Sequence, residues 1–577
     1  MHICNPMNLS YPYQFHGKFY GNAICREGAD PSMVLFKGRY FLFASMSGGF
    51  WVSDDLVSWE YHTTPELPIH DYAPDVRVVG DWLYISASRR LSKCPFYRTK
   101  DPLSGKFEKV AATMTFWDPH LFADDDGKLY FYWGCSNKTP LYGVELDPET
   151  MKPKHKPVGL ITEQTHIHGF ERNGENHIML PPKNLPDKLF RALAGGDAPY
   201  VEGAWMNKHK GKYYLQYAVN GTEFNAYSDG VYVSDSPLGP YTFAKNNPYS
   251  YRPGGFMPGA GHGSTMEDKY GNYWHAASMR ISMNHTFERR VGMFPAGFDA
   301  DGELFCNQRY GDWPMKMEQG KMDPWQEPEW MLLSCGKAMT ASSCAEDHPA
   351  SLAAEECEQT WWKAAYSKPG QWLQVDLGEA MDVRGIQINF ADDALKLPLP
   401  ENASWGGEWP IKRIIDTRSH YTRWLLEGSQ DGETYFGICD KREAQTDLSH
   451  DFVCLEDGIQ ARYLRCTVTE LPFNQTPAIS ALRVFGRSHG EKPVPAANVT
   501  ATLTGELDAD VSWNAGSSAV GHAILWGYAP DKLYHSIMVY GKNNCHIAAL
   551  IAGQECYLRI DSFNEAGITH GEIQKIK

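Results

Sequence analysis

"WDPHLFADDDGKLYFYWG", residues 117–134, sets an Asp-Pro step before an apolar strand, then three aspartates and a glycine, then a second strand rich in aromatics. Asp126-Gly127 between two apolar runs supplies the positive φ angles that a tight hairpin turn needs. A calcium loop spaces its carboxylates at alternate positions so that they converge on one ion. Asp124, Asp125 and Asp126 are adjacent and diverge, so the stretch reads as a hairpin. Asp118 stands outside it, at the head of its first strand.

The same order of polar head, strand, glycine-containing turn and aromatic strand recurs four times. It is found in "ADPSMVLFKGRYFLFAS" from Ala29, "APDVRVVGDWLYISAS" from Ala73, "VEGAWMNKHKGKYYLQYA" from Val201 and "GHGSTMEDKYGNYWHAAS" from Gly261. Short-strand repeats of roughly 40 to 50 residues read as a β-propeller, whose blades aim the starts of their innermost strands at a common axis. The heads Asp30, Asp75, Asp118, Glu202 and His262 are therefore expected to converge on one pocket. The other reading is that each head only caps its own turn.

At 577 residues the chain is too long for one core and is expected to divide into several domains. Its 52 Gly, 36 Pro and 13% aromatic content favour short strands and turns. A formal charge of −16 argues against nucleic acid and anionic membranes as partners. No apolar run reaches the roughly 18 residues of a spanning helix. "MHICNPMNLSYPYQF" at the N-terminus has no basic region followed by an apolar stretch. The 13 cysteines, an odd number without CxxC spacing, read as reduced thiols. A cytoplasmic location is expected, with a secreted or periplasmic chain whose signal peptide has been removed as the alternative.

Composition shifts after Pro314. "MEQGKMDPWQEPEW", from Met317, reads as a linker, and the alternating strands of "WWKAAYSKPGQWLQVDLGEAMDVRGIQINF", "TRWLLEGSQDGETYFGICD" and "ARYLRCTVTELPFNQTPAISALRVFGR" follow. This region resembles the discoidin-like C domain of coagulation factors, with Trp372, Val375, Asp376, Leu377 and Gly378 as the matching core. It departs from that family at "EECEQTWW", where an Asp-Gly-Asn turn is usual. From about Pro493 the chain resembles a fibronectin type III module, with Trp513 and "YLRIDSFNEAG" from Tyr557 as its markers. The expected architecture is all-β: a five-bladed β-propeller over residues 1–325, then two β-sandwich domains, discoidin-like over 326–488 and fibronectin type III-like over 489–577. "PLPENASWGGEWP", residues 398–410, is Pro/Gly-rich and offers Trp405 and Trp409 to a sugar.

Carboxylates held apart on rigid strands around a pocket suit glycosidic bond cleavage, in which one protonates the leaving oxygen and another activates water or attacks the sugar. "ADPS" at Asp30, "WDPHLFADDDG" at Asp118 and "EGAWMNKHKGKYYLQY" at Glu202 resemble the three catalytic blocks of glycoside hydrolase family 43, a family of five-bladed propellers. "APD" at Asp75, "YSDGVYVSDSPLGPY" from Tyr227, "GHGS" at His262 and "ERRVGMFPAGFDADG" from Glu288 support the match. The resemblance implies Asp30 as general base, Glu202 as general acid, and Asp118 as the third acid that raises the pKa of Glu202 and orients it. No cofactor is implied for the chemistry itself. His262 resembles an axial histidine that orients a hydrated central cation, often calcium; a purely hydrogen-bonded histidine is the alternative.

Phe50, Trp51, Trp117 and Trp205 are candidates for an apolar wall against a sugar ring, or equally for core between blades. Asp75 is a further substrate-binding candidate, and Arg289 or Arg290 would neutralise the carboxylates or form a surface ion pair. Glu171 lies in "HIHGFERNGENH", residues 166–177, which reads as a segment lining the pocket mouth. The resemblance implies an inverting, exo-acting hydrolase of the α-L-arabinofuranosidase or β-D-xylosidase type, releasing terminal pentose or furanose units from plant-type oligo- or polysaccharides. Its alternatives are a galactan- or galactofuranose-directed hydrolase of the same family and a non-catalytic carbohydrate-binding propeller. A retaining fructosidase-type propeller would carry Arg-Asp-Pro and Glu-Cys where this chain has Trp-Asp-Pro and Glu-Gly. The oligomeric state stays open.

Overall fold

The computed structural model describes residues 1–16, 23–68, 72–89, 92–194, 196–400, 406 and 412–577. Trp405 and Trp409 lie outside the described residues. Five consecutive antiparallel sheets build the first domain, each with a four-stranded path and the fourth carrying Ser250–Tyr251 as an extra strand on Ser228–Ser234. Blade 1 runs through Ala29–Phe36, Arg39–Ser45, Gly49–Ser53 and Glu60–Thr63, and blade 2 through Asp75–Val79, Trp82–Ser86, Pro95–Thr99 and Glu108–Ala112. Blade 3 comprises His120–Ala123, Leu129–Trp133, Leu141–Leu146 and Val158–Ile161. Blade 4 comprises Val201–His209, Lys212–Val219, Ser228–Ser234 and Thr242–Phe243, and blade 5 Gly259–Glu267, Tyr273–Arg280, Arg289–Phe298 and Leu304–Cys306.

A cycle of contacts closes these sheets into a ring. The Val76 N–H of blade 2 donates to Ser32 Oγ of blade 1 at 2.9 Å. Asp75 holds blade 3, meeting His120 Nδ1 at 2.9 Å and accepting from the Leu121 N–H at 2.8 Å. His120 packs on Trp205 of blade 4 with ring centroids 4.5 Å apart. Trp205 Nε1 donates to the Thr265 carbonyl of blade 5 at 2.9 Å, and Ser264 Oγ accepts from the Met33 N–H of blade 1 at 3.0 Å. These cross-blade bonds satisfy most of the polar groups buried in the ring, as the low dielectric of an interior demands, while His120 Nε2 is buried without a hydrogen-bond partner among the described residues.

Two residues before each linking residue the backbone is left-handed: Asp30 (φ 48°), Ala73 (49°), Asp118 (51°), Gly203 (60°) and His262 (47°). Such φ values are uncommon outside glycine, and their recurrence at one place per blade marks a shared local design. Pairing registers also shift there, between Ala29 and Ser32, Glu202 and Trp205, and Gly261 and Ser264; a bulge of this kind re-aims a side chain. The structural equivalents of Asp30 are thus Ala73 and Gly203, not Asp75 and Glu202. Asp75 sits two positions further on, in the closing ring, and Glu202 immediately precedes its blade's left-handed residue.

The hairpin after Asp118 forms as expected, with Gly127 at φ 81° and the Gly127 N–H donating to Asp124 O at 3.0 Å. Asp124 accepts from Tyr213 Oη at 2.6 Å and pairs with Lys208, so it ties blade 3 to blade 4 and holds no calcium loop together.

An eight-stranded arrangement follows, dominated by Gln371–Phe390 and His450–Glu470, with Trp362, Leu373, Val375 and Trp424 in its core. Trp372 of the matching motif is only half-buried, under Arg465. The third domain places Ala497–Leu503, Ala509–Asn514 and Asn544–Ile547 in one sheet, and builds another on Gly521–Gly527, His535–Tyr540 and Tyr557–Asn564.

These domains are not beads on a string. Arg413–Ile415 of the second domain adds a strand to Tyr13–His16 of the first, which also pairs with Ile24–Arg26. Arg26 is buried, with Nε 2.8 Å from Asp392 and Nη1 2.8 Å from Asp447. Arg290 is buried too and donates from Nε to His450 Nε2 at 3.0 Å. One apolar cluster joins Cys4 and Trp313 to Phe485 of the second domain and Phe563 of the third. Removing one partner from a buried pair costs about 3–5 kcal/mol. A chain ending before Leu332 is therefore expected to lose solubility, because Arg26 and Arg290 would keep their charge without Asp392, Asp447 or His450. A soluble truncated propeller that unfolds at the parent temperature would overturn this.

Candidate active site

Three of the carboxyl-bearing heads meet. Asp30 is buried, and its Oδ2 accepts from Ser45 Oγ at 2.6 Å while its backbone N–H donates to Ser278 Oγ at 2.7 Å. Arg289 Nη1 donates to Asp30 Oδ1 at 3.1 Å. Glu27 holds that guanidinium from the far side, accepting from Nη2 at 2.8 Å and Nε at 2.9 Å. His262 Nδ1 lies 3.4 Å from Asp30 Oδ1 and 3.9 Å from Asp118 Oδ2, bridging the first two carboxyls. His262 is fixed from behind, where its own N–H and that of Gly263 donate to Asp229 at 2.7 and 2.9 Å.

Asp118 is buried and anchored by its N–H, which donates to Ser88 Oγ at 2.8 Å. Glu202 is half-buried. Its Oε1 accepts from Tyr227 Oη at 2.5 Å and its Oε2 from Cys135 Sγ at 3.0 Å. Ligand-type atoms of Asp118, Cys135 and Glu202 all lie within 4.8 Å of one another. The neighbouring Gly203 has to be glycine, since a Cβ there would stand 2.8 Å from the His262 ring.

The two aspartates sit in opposite electrostatic settings. Burial opposes ionisation of Asp30, but the Arg289 guanidinium, His262 and the Ser45 and Ser278 hydroxyls outweigh it and hold its carboxyl below the usual range. Burial pushes Asp118 well above that range; His262 pulls it down, and Glu202 and Asp30 push it up again. Burial also raises the Cys135 thiol, with Glu202 and Asp118 adding to the effect, so the group is an S–H donor at neutral pH. Asp30 is thus held ionised while Asp118 beside it is kept from ionising, an opposition of the kind that acid–base chemistry needs.

Residues 20–304 match the family model for Glycosyl hydrolases family 43. Over those residues, just under half of its length, the chain is similar to family 43 glycosyl hydrolases. Residues 338–398 match the F5/8 type C domain, the discoidin-like module. The chain is 28% identical over 156 residues to a "Beta-xylosidase" of Xylanibacter ruminicola, covering 26% of this chain and 44% of that protein. It is 28% identical over 286 residues to an "Arabinoxylan arabinofuranohydrolase" of Paenibacillus polymyxa, covering 39% and 41% of the two chains. A solved structure titled "Glycoside hydrolase" aligns over 79% of this chain and 97% of its own with a TM-score of 0.44 and 18% identity. The chain thus spans less than half the length of these curated relatives.

Several residues expected at the pocket are elsewhere. Phe50 and Trp51 are core, Phe50 stacked on Phe43 and Trp51 donating from Nε1 to the Ser10 carbonyl at 3.2 Å. Trp205 and Asp75 serve the closing ring, where Asp75 uses both carboxylate oxygens. Arg290 faces the second domain, while Arg289, one residue away on the opposite strand face, is the arginine at the carboxylates. Glu171 is fully buried with Tyr217 and His168. Its segment pairs with the third domain instead of lining the mouth, the Gly169 N–H donating to Leu550 O at 2.7 Å.

Trp117 alone of the four candidate aromatics is half-exposed, 6.3 Å from the Tyr72 ring. Over Tyr72 lie the guanidiniums of Arg289, at 5.9 Å, and of Arg413 from the discoidin-like domain, at 5.3 Å. Cys135, Tyr72 and Arg413 were not legible beforehand; Tyr227 and Asp229 sit in the "YSDG" stretch that was.

Calcium takes six to eight oxygen ligands. The oxygens nearest His262 are engaged, those of Asp229 by backbone N–H groups and those of Asp30 by Ser45 and Arg289. A cation beside His262 would therefore have to be held chiefly through water, as the hydrated cation expected there would be.

Proposed function

We propose that the protein is an inverting, exo-acting glycoside hydrolase of the β-D-xylosidase or α-L-arabinofuranosidase type, with Asp30 as general base, Glu202 as general acid and Asp118 as the group that tunes and orients Glu202. The observation that carries this reading is the meeting in one pocket of Asp30, bound by Arg289, with Glu202, which accepts from Tyr227 and Cys135 beside Asp118. The family match and the names of the relatives support it.

In this mechanism Asp30, unprotonated at neutral pH, takes a proton from a water on one face of the sugar. Glu202 gives the proton held by its cluster to the leaving oxygen on the other face. Tyr227 and Cys135 fix the Glu202 carboxyl so that the transfer needs little reorganisation. Trp117 and Tyr72 offer the apolar surface for the ring. The third domain is read as a fibronectin type III-like module on the split of its strands between a three- and a five-stranded sheet.

An inverting site leaves room for that water, with carboxyls roughly 6.5–9.5 Å apart against about 5–5.5 Å in a retaining one. Proton NMR of the first-formed sugar, recorded before mutarotation, is expected to show the anomer opposite to that of the substrate. Retention, or a trapped glycosyl ester on Asp30, would overturn the base assignment.

A further inference from the structure

The mechanism uses Cys135 only as a donor to Glu202, yet its setting is unusual for a half-buried thiol. Its Sγ lies 3.0 Å from Glu202 Oε2, and Asp118 completes a trio of donor atoms within 4.8 Å. Cys135 and Glu202 are both half-buried, so the trio can be reached from outside. We propose that Asp118, Cys135 and Glu202 form a binding site for a thiophilic divalent cation such as Zn²⁺, and that its occupation shuts the catalytic pocket.

The geometry is close to what such an ion requires. Zinc bonds thiolate at about 2.3 Å and carboxylate at about 2.0–2.2 Å in a tetrahedron, which sets ligand atoms roughly 3.3–3.8 Å apart. The trio reaches that spacing through side-chain adjustments of an ångström or so, and water or a sugar hydroxyl supplies the fourth position. Two carboxylates and a thiolate carry three negative charges against the two of the ion, with His262 beside Asp118 and Arg289 already held by Glu27 and Asp30. Sulfur in the donor set selects against calcium and magnesium, which prefer oxygen alone. Binding breaks the Cys135 S–H bond and the O–H bond of whichever of Asp118 and Glu202 is protonated, forms metal–sulfur and metal–oxygen bonds and releases those protons to the buffer, with no change of oxidation state. A metal-bound Glu202 has no proton to give. That last consequence rests on the acid role proposed above, whereas the binding itself does not.

The test is a titration of the full-length protein with Co²⁺, which gives a near-ultraviolet charge-transfer band when thiolate-bound, alongside inhibition by Zn²⁺ and its reversal by EDTA. The parent is expected to develop the band stoichiometrically and to lose hydrolysis over the same metal range. Cys135→Ser is expected to lose the band, and Glu202→Gln to weaken cobalt binding by an order of magnitude or more; circular dichroism confirms that both are folded. A band that persists in Cys135→Ser overturns the proposal. So does one that vanishes only in Cys454→Ser, which would place the metal at the second trio, His2, Cys454 and Glu456. A parent that binds cobalt at Cys135 yet hydrolyses no glycoside when metal-free would leave the site standing and sink the hydrolase reading instead.

Discussion

Glu202→Gln is expected to fold as the parent does and to hydrolyse glycosides with poor leaving groups about 10²–10⁴-fold more slowly, the usual contribution of a positioned general acid. The substitution keeps shape while removing the transferable proton. The amide oxygen can still accept from Tyr227 or from Cys135, so the local packing is retained. The deficit should shrink along a series of leaving groups of falling pKa, because an activated phenolate departs without protonation. Comparing kcat for an unsubstituted oligosaccharide with that for a nitrophenyl glycoside isolates the acid step from binding. An equal loss on both would say that Glu202 shapes the pocket and donates no proton.

The blades were legible because each one repeats a turn chemistry and a strand period that need only local sequence. The heads were only partly so. "ADP" and "APD" look like the same signal, but the left-handed residue of blade 2 is Ala73 and not Asp75. What decides this is the contact two positions on, where Ser32, Asp75, His120, Trp205 and Ser264 link neighbouring blades, and that contact spans the whole domain. In blade 4 Glu202 still reaches the pocket, because the bulge beside it supplies the extra residue.

The aromatics misled for a related reason. A propeller blade is covered on both faces by its neighbours, so an aromatic strand has no solvent side to reveal by alternation. Phe50, Trp51 and Trp205 are consequently core, and Trp117 is distinguished by standing just before a strand instead of within one. Arg289 and Arg290 could not be told apart by composition, since adjacent residues on a strand face opposite ways. The reach of Arg413 to Tyr72 depends on a strand donated by a domain almost four hundred residues downstream of its partner Tyr13–His16, which no local pattern encodes.

That same distinction between the two arginines gives the second large effect. Arg289→Met removes the guanidinium and keeps the length of the side chain. Glu27 and Asp30 then stay buried without their shared cation, and leaving charges uncompensated in an interior costs about 3–5 kcal/mol. The pH response has a definite sign. In the parent, Asp30 is held below the usual carboxylate range, so it contributes stability that is present above its unfolded pKa and lost as pH falls through the folded value. Without Arg289 burial becomes the dominant influence and the carboxyl rises. The acid limb of kcat/KM, which reports ionisation of the base in the free enzyme, is therefore expected to move to higher pH in Arg289→Met. Urea unfolding at neutral pH should show the stability loss. Arg289→Lys should return part of both effects, since a point charge can still pair with Asp30 but cannot span Asp30 and Glu27 together. A variant that is destabilised yet keeps the parent acid limb would make Arg289 a purely structural residue and would move the base away from Asp30.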